Sequence, residues 1–271
     1  MWRFINKMKL AWLCWPSLLA ASNLFLSICV LLFLSDHKIN THFLAKPYAE
    51  RRTIDSGSER QTMSENDVAS GFIFYELPLP GWAKGFRMPI CGAEIPQNVE
   101  RLPGAARSYR NGRHEGVDIY CAYGTPVLAA KDGYVLAVGA DYHDLPKVLR
   151  DRLLAIAKKL VSTPSEVTDI LHGRRVILDH GLSDGRWVVT VYSHLSEVGK
   201  NLKPGTFIKQ GAIIGYVGNS GTSQAGTTKD SHLHFEIRVN DHYLGEGMSQ
   251  KEAGRLYSAV MGGEANDLKR D

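Results

Sequence analysis

The chain has little cysteine, four residues in 271. That excludes a small fold stapled by disulfides, which packs many cysteines into a short chain. It also has little excess charge. Beyond the first 34 residues, 29 basic side chains face 28 acidic ones. A body this neutral lacks the basic footprint of a nucleic-acid binder, so no nucleic acid is expected as a partner. Apolar residues make up 44% of the chain, which excludes a disordered or collagenous polymer and suffices for one sizeable core.

Charge is absent altogether from Leu10 to Ser35. About 20 apolar residues span a bilayer as a helix, so residues 10–35 are long enough for a transmembrane signal-anchor. Arg3, Lys7 and Lys9 lie in the preceding basic end, residues 1–9. The positive-inside rule keeps that end in the cytoplasm. The expected location is the cytoplasmic membrane, single-pass, with the body on the periplasmic or extracellular side. A cleaved signal peptide is the alternative, since Ala20-Ala21-Ser22 offers small residues. Its apolar core is usually roughly 7–15 residues, however, and here the run continues through Leu34. Cys91 and Cys121 fall in the exported part, where a disulfide can persist. Whether they bridge or stay free thiols is open at this level.

Residues 36–70 are polar and read as a tether. Strand signals begin at Gly71–Tyr75 and continue to residue 248, the expected main domain. Thr125–Ala130 and Tyr134–Val138 flank Lys131-Asp132-Gly133, the signature of a hairpin with Asp-Gly in its turn. Residues 205–213 echo that pattern of Gly, Thr and Lys, so two related hairpins are expected. Other strands are expected over 175–179, 187–194, 206–209, 212–217 and 232–239. The fold class is mainly β, a compact antiparallel core.

One segment breaks the pattern. Leu145, Val148, Leu149, Leu153, Ile156 and Leu160 recur at helical steps, predicting an amphipathic helix over 144–162. Thr163-Pro164-Ser165-Glu166 predicts a second helix start and Gly173 its stop. Residues 142–173 are thus a helical insertion in a β core. Residues 249–271 form a last helix and tail, opened by a Ser249/Glu252 capping box.

Histidines mark three places of interest, two of them with acids at informative spacing. In Ser231-His232-Leu233-His234-Phe235-Glu236, strand alternation puts His232, His234 and Glu236 on one face and Leu233, Phe235 and Ile237 on the other. Two imidazoles and a carboxylate backed by an apolar face suit metal chemistry, although a histidine-rich solvent face has the same pattern. His114-Glu115-Gly116-Val117-Asp118 lacks the second histidine of a helical zincin motif. Gly116, Val117 and Ile119 also disfavour a helix, so this reads as a loop entering a strand. Asp118 and Tyr120 then share a face and Cys121 points away. The third cluster is Tyr192-Ser193-His194-Leu195. Two His and one Asp around a zinc ion would leave a fourth position for water, with further histidines to move protons.

His114-x-x-x-Asp118, Tyr192-x-His194-Leu195 and His232-Leu233-His234-Phe235-Glu236, in this order, resemble the LytM/lysostaphin-type zinc endopeptidases of bacterial cell walls. Gly124-Thr125-Pro126-Val127 and the glycine pattern from Gly211 to Gly221 add to the likeness, which covers about residues 85–240. It implies one Zn2+ per chain on His114, Asp118 and His234. It implies that His194 and His232 stay off the metal and assist catalysis as base and oxyanion stabiliser, their order unassigned. It implies peptide bonds of peptidoglycan as substrate, with residues 10–35 holding the lipid bilayer.

The insertion departs from the compact family pattern. It would narrow the groove, bind a regulator, or merely decorate the surface. His180 reads as turn structure, and His143 and His172 as surface residues. Arg87 and Arg113 are candidates to meet substrate carboxylates. Glu236 either orients a ligand or faces solvent. Three other functions compete: a non-catalytic relative that activates a wall amidase, a lipoyl-type carrier, and a zinc carboxypeptidase of another family. All five candidate residues are retained, which favours an enzyme over a scaffold.

Overall fold

The computed structural model describes residues 79–262. The expected anchor, tether and Gly71–Tyr75 strand, and the tail beyond residue 262, lie outside the described residues. Within them, no helix is long and apolar enough to cross a membrane.

Among the described residues, twelve strands and three α-helices follow one another. They are β1 (Ala106–Arg107), β2 (Gly112–Arg113), β3 (Val117–Tyr120), β4 (Pro126–Leu128), β5 (Gly133–Val138), α1 (Lys147–Ala157) and α2 (Ser165–His172). Then come β6 (Val176–Ser183), β7 (Arg186–Ser193), β8 (Leu195–Val198), β9 (Phe207–Ile208), β10 (Ile213–Val217), β11 (His232–Val239), β12 (His242–Tyr243) and α3 (Gln250–Val260). The main sheet runs β12-β11-β7-β6-β5-β9, with β3 also paired to β11. A second sheet runs β4-β10-β8. Every pairing is antiparallel, so the mainly β expectation holds.

The two expected hairpins do not form. β4 pairs with β10 and β5 with β9, so the strands of one echoing motif pair with those of the other. Gly133 explains part of this. It does not sit at positive φ in a turn. It lies in β5 where the Asp179 carbonyl comes within 2.6 Å of where a Cβ would be. The glycine answers a close approach. Asp132 Oδ1 instead accepts the Gln210 N–H across the two motifs at 2.6 Å.

Alternation along β11 is as expected. Leu233, Phe235 and Ile237 are fully buried and meet Val117, Ile119, Tyr192 and Tyr257 in the main core. The opposite face carries His232, His234 and Glu236, also buried. At its His234 and Glu236 end, that face is met by His172 of the insertion.

The insertion is two helices with their own small core of Leu153, Ala157, Leu160, Val167, Ile170 and Leu171. Helix α1 is shorter than its periodicity predicted, and Val148, expected on its apolar face, is 63% exposed. Helix α2 starts two residues later than Thr163. Pro164 is its N-cap, while the Thr163 hydroxyl donates to the Arg110 carbonyl at 2.8 Å. A tertiary partner outcompetes the local cap. Gly173 does end α2, at φ +66°. The Ser249/Glu252 capping box opens α3 as expected. Cys91 and Cys121 are both free thiols.

Candidate metal centre and groove

Three elements bring the expected ligands together. In the β3–β11 register Asp118 faces His234 and Tyr120 faces His232. His114 precedes β3, and Gly116 lets the loop pass β11, since a Cβ there would lie 2.4 Å from the Phe235 carbonyl oxygen. His114 Nε2, Asp118 Oδ1 and His234 Nδ1 form a triangle with sides of 2.9, 2.9 and 3.0 Å. Ligands around a tetrahedral zinc at bond lengths of about 2.0–2.1 Å sit about 3.3 Å apart, so the triangle suits that ion with little adjustment.

Tautomers sharpen the fit. His114 Nδ1 is 3.0 Å from the Leu102 carbonyl oxygen, which only accepts, so Nδ1 carries the proton in the neutral ring. His234 Nε2 donates likewise to Glu236 Oε1 at 2.9 Å. Both remaining lone pairs then point at the Asp118 carboxylate, and three donor atoms converge on one point. This set suits a cation. Burial lowers the His114 pKa despite the Asp118 carboxylate beside it. Burial also opposes charge on Asp118, but His114 and His234 hold its carboxyl well below the usual range. On His234, burial acts downward and is overcome by the hydrogen bonds to Asp118 and Glu236, which lift it to about 9 in the metal-free protein.

His194 and His232 flank this triangle. Their rings lie 4.7 Å apart, edge to face, and His232 Nε2 is 3.9 Å from Asp118 Oδ1. His232 Nδ1 donates to the Asp230 carbonyl at 2.7 Å, and His194 Nδ1 to the Ser220 carbonyl at 2.8 Å. Each neutral ring therefore keeps an unprotonated Nε2. His194 has φ +62° and is gripped by its backbone N–H, which donates to the His172 carbonyl at 2.9 Å. Burial, then the charges of His232 and His234, hold the His194 pKa well below its ordinary value, so it stays an available base near neutrality.

All five expected residues thus line one groove of about 660 Å³. The structure adds residues that the sequence did not reveal. His172, expected at the surface, stacks on the His234 ring at 5.1 Å, and its Nε2 is 3.2 Å from Glu236 Oε1. Glu236 is fully buried and also accepts from Arg238 Nη1 at 2.7 Å, so it orients the His234 ring and does not face solvent. Arg107 Nη2 holds the second Asp118 oxygen at 3.3 Å. Tyr120 stacks on His232 at 4.7 Å. Arg87 and Arg113 are not on the groove wall; Arg101, Arg107, Arg110 and Arg150 are. His180, expected in a turn, instead lies within β6 at the register shift between Asp179 and Leu182, where its ring nitrogens meet the Asp132 carbonyl and Thr190 Oγ1, both at 2.8 Å.

Residues 112–245 match the model of peptidase family M23. An uncharacterized metalloprotease of Haemophilus influenzae is 32% identical over 127 residues. That match covers 47% of this chain, which spans about a fifth of the relative's length (19%). Among solved structures, a putative M23 peptidase from Pseudomonas aeruginosa matches at 19% identity and TM-score 0.35, covering 63% of this chain and 51% of that one. The catalytic domain of lysostaphin from Staphylococcus simulans matches at 24% identity and TM-score 0.30, covering 59% and 84%.

Proposed function

We propose that the chain is a membrane-anchored, zinc-dependent endopeptidase that hydrolyses peptide bonds of peptidoglycan. The observation that carries the reading is the convergence of His114 Nε2, Asp118 Oδ1 and His234 Nδ1 within 3.0 Å of one another, beside two histidines with free Nε2 atoms. His114, Asp118 and His234 would hold one zinc ion. When bound, that ion supplies Lewis acidity for the scissile carbonyl and acidifies water. His194 and His232 present their Nε2 atoms to the same space. One takes the proton of the attacking water, and the other, once protonated, donates a hydrogen bond to the developing oxyanion. Peptidoglycan as substrate rests on the resemblance to the cell-wall enzymes, and the anchor on the uncharged run 10–35. A regulator bound at the insertion belongs to the same proposal.

The test is to incubate the zinc-loaded protein with purified sacculi and identify released products by mass spectrometry. New peptide termini are expected. A zinc-loaded protein that releases none would support the amidase-activating scaffold instead. His234→Ala should abolish both zinc retention and hydrolysis, and retention of both would overturn the ligand assignment.

A further inference from the structure

We propose that the arginine-lined wall of the groove is a carboxylate subsite, which selects peptides carrying a free carboxylate near the scissile bond. The choice of a peptide ligand rests on the peptidase reading above. Four guanidinium groups line the groove that holds the histidines, those of Arg101, Arg107, Arg110 and Arg150. Arg107 is already committed, to Asp118 Oδ2 and to the Glu100 carbonyl at 3.1 Å. The other three hold no carboxylate among the described residues.

Arg110 is the telling one. It is only 6% exposed. Its Nη1 donates to Thr168 Oγ1 at 3.1 Å and its Nη2 to the Arg113 carbonyl at 2.7 Å. Both acceptors are neutral, and its Nε is buried with no partner. A buried cation normally has an acid beside it. Arg150, carried by α1 of the insertion, also has a buried Nε without a partner. The Arg101 guanidinium carbon sits over the Tyr120 ring, 3.9 Å from its centroid, and that ring stacks on His232. A guanidinium held over an aromatic face spends none of its hydrogen bonds on that contact, so its N–H groups remain for a planar, two-oxygen acceptor. The stack connects it directly to a catalytic histidine. Glu100 and Asp230 also line the groove, but both are exposed and neither pairs with these arginines.

The geometry therefore points to an anionic group seated in this groove, one ring away from His232, with Arg101 and Arg150 partly exposed on its wall and Arg110 buried in it. Among peptide groups, a carboxylate matches that fork. The insertion supplies Arg150 and, through Thr168, the hydrogen bond that holds Arg110. On this account the insertion sets substrate selectivity.

The experiment compares cross-linked stem peptides released from purified peptidoglycan with the same peptides after conversion of their free carboxylates to carboxamides. Affinity is measured by calorimetry on the full zinc-loaded chain in a His194→Ala background, which retains the metal ligands and suppresses turnover. Hydrolysis is measured in parallel on the wild type. The carboxylate form should bind about tenfold or more tightly than the amide form. Arg101→Gln and Arg150→Gln should each move that ratio toward one, and Arg101→Lys should keep part of the preference. Both sites are partly exposed, and an unchanged melting temperature and zinc content exclude misfolding as the cause. Equal affinity for the two forms, or a preference that survives both glutamine variants, would overturn the subsite. A carboxylate preference without hydrolysis sinks the peptidase reading and keeps the subsite. Hydrolysis without preference does the reverse.

Discussion

Glu236 Oε1 lies 2.9 Å from His234 Nε2, on the opposite side of the ring from Asp118. The carboxylate thereby fixes which imidazole nitrogen is free for a metal. It is itself braced by His172 from the insertion and by Arg238, whose Nη1 also reaches Glu115 at 2.8 Å. Partners of this kind typically contribute 10–100-fold to metal affinity. Glu236→Gln should weaken zinc binding by about tenfold or more, read by competition with a chromogenic chelator. His172→Phe, which keeps the stacked ring but loses the nitrogen, should give a smaller loss. Wild-type zinc affinity in Glu236→Gln would show that the carboxylate does not orient His234.

The two helper histidines should separate from the ligands. His194→Ala and His232→Ala are each expected to keep one zinc per chain and lose about 10²–10⁴-fold in kcat. Metal analysis beside product release on sacculi tests this. Zinc loss in either variant would move that histidine into the ligand set.

Gly173 connects the insertion to the site through backbone geometry. At φ +66°, with the Ser220 carbonyl oxygen 2.3 Å from where a Cβ would sit, it leaves no room for a side chain. That same carbonyl holds His194 Nδ1. Gly173→Ala should cost about 1–3 kcal/mol of stability and lower kcat by shifting His194. A thermal melt and a rate assay on the same sample suffice. A stable variant with full activity would show that this junction does not position His194.

Stability should fall in acid partly because of His180. Burial, with Lys131 adding to it and the Asp132 carbonyl opposing, lowers its pKa to about 4. Unfolded, it titrates near 6.5. Between those values the unfolded chain binds a proton that the folded chain refuses, so stability drops as pH falls from about 6.5 through about 4. The loss amounts to about 3 kcal/mol at most. His180→Gln should flatten the difference between urea denaturation at neutral pH and at pH about 4.5. An unchanged difference would remove His180 as the acid-sensitive group.

Much of the site was legible because its cause is local. A strand with period two had to separate His232, His234 and Glu236 from Leu233, Phe235 and Ile237. Asp118 and Tyr120 had to share a face for the same reason. The helical periods of 144–162 and the Ser249 cap were equally local, since hydrogen bonds within a few residues decide them. Where a distant group competed, the local signal misled. Asp132-Gly133 looked like a turn and was a close approach to Asp179. Thr163 looked like a cap and bonded Arg110.

Residue type and parity along single strands are properties of the chain, so the candidate residues and the faces they share could be read without a fold. Which of them meet was settled by packing between distant segments. It crossed the partners of the two echoing motifs, turned Glu236 inward under the insertion, and brought His172 onto His234 across 62 residues of sequence. It also gathered Arg101, Arg110 and Arg150 onto one wall. Those meetings depend on long-range packing and burial, for which no short stretch of the chain holds a signal.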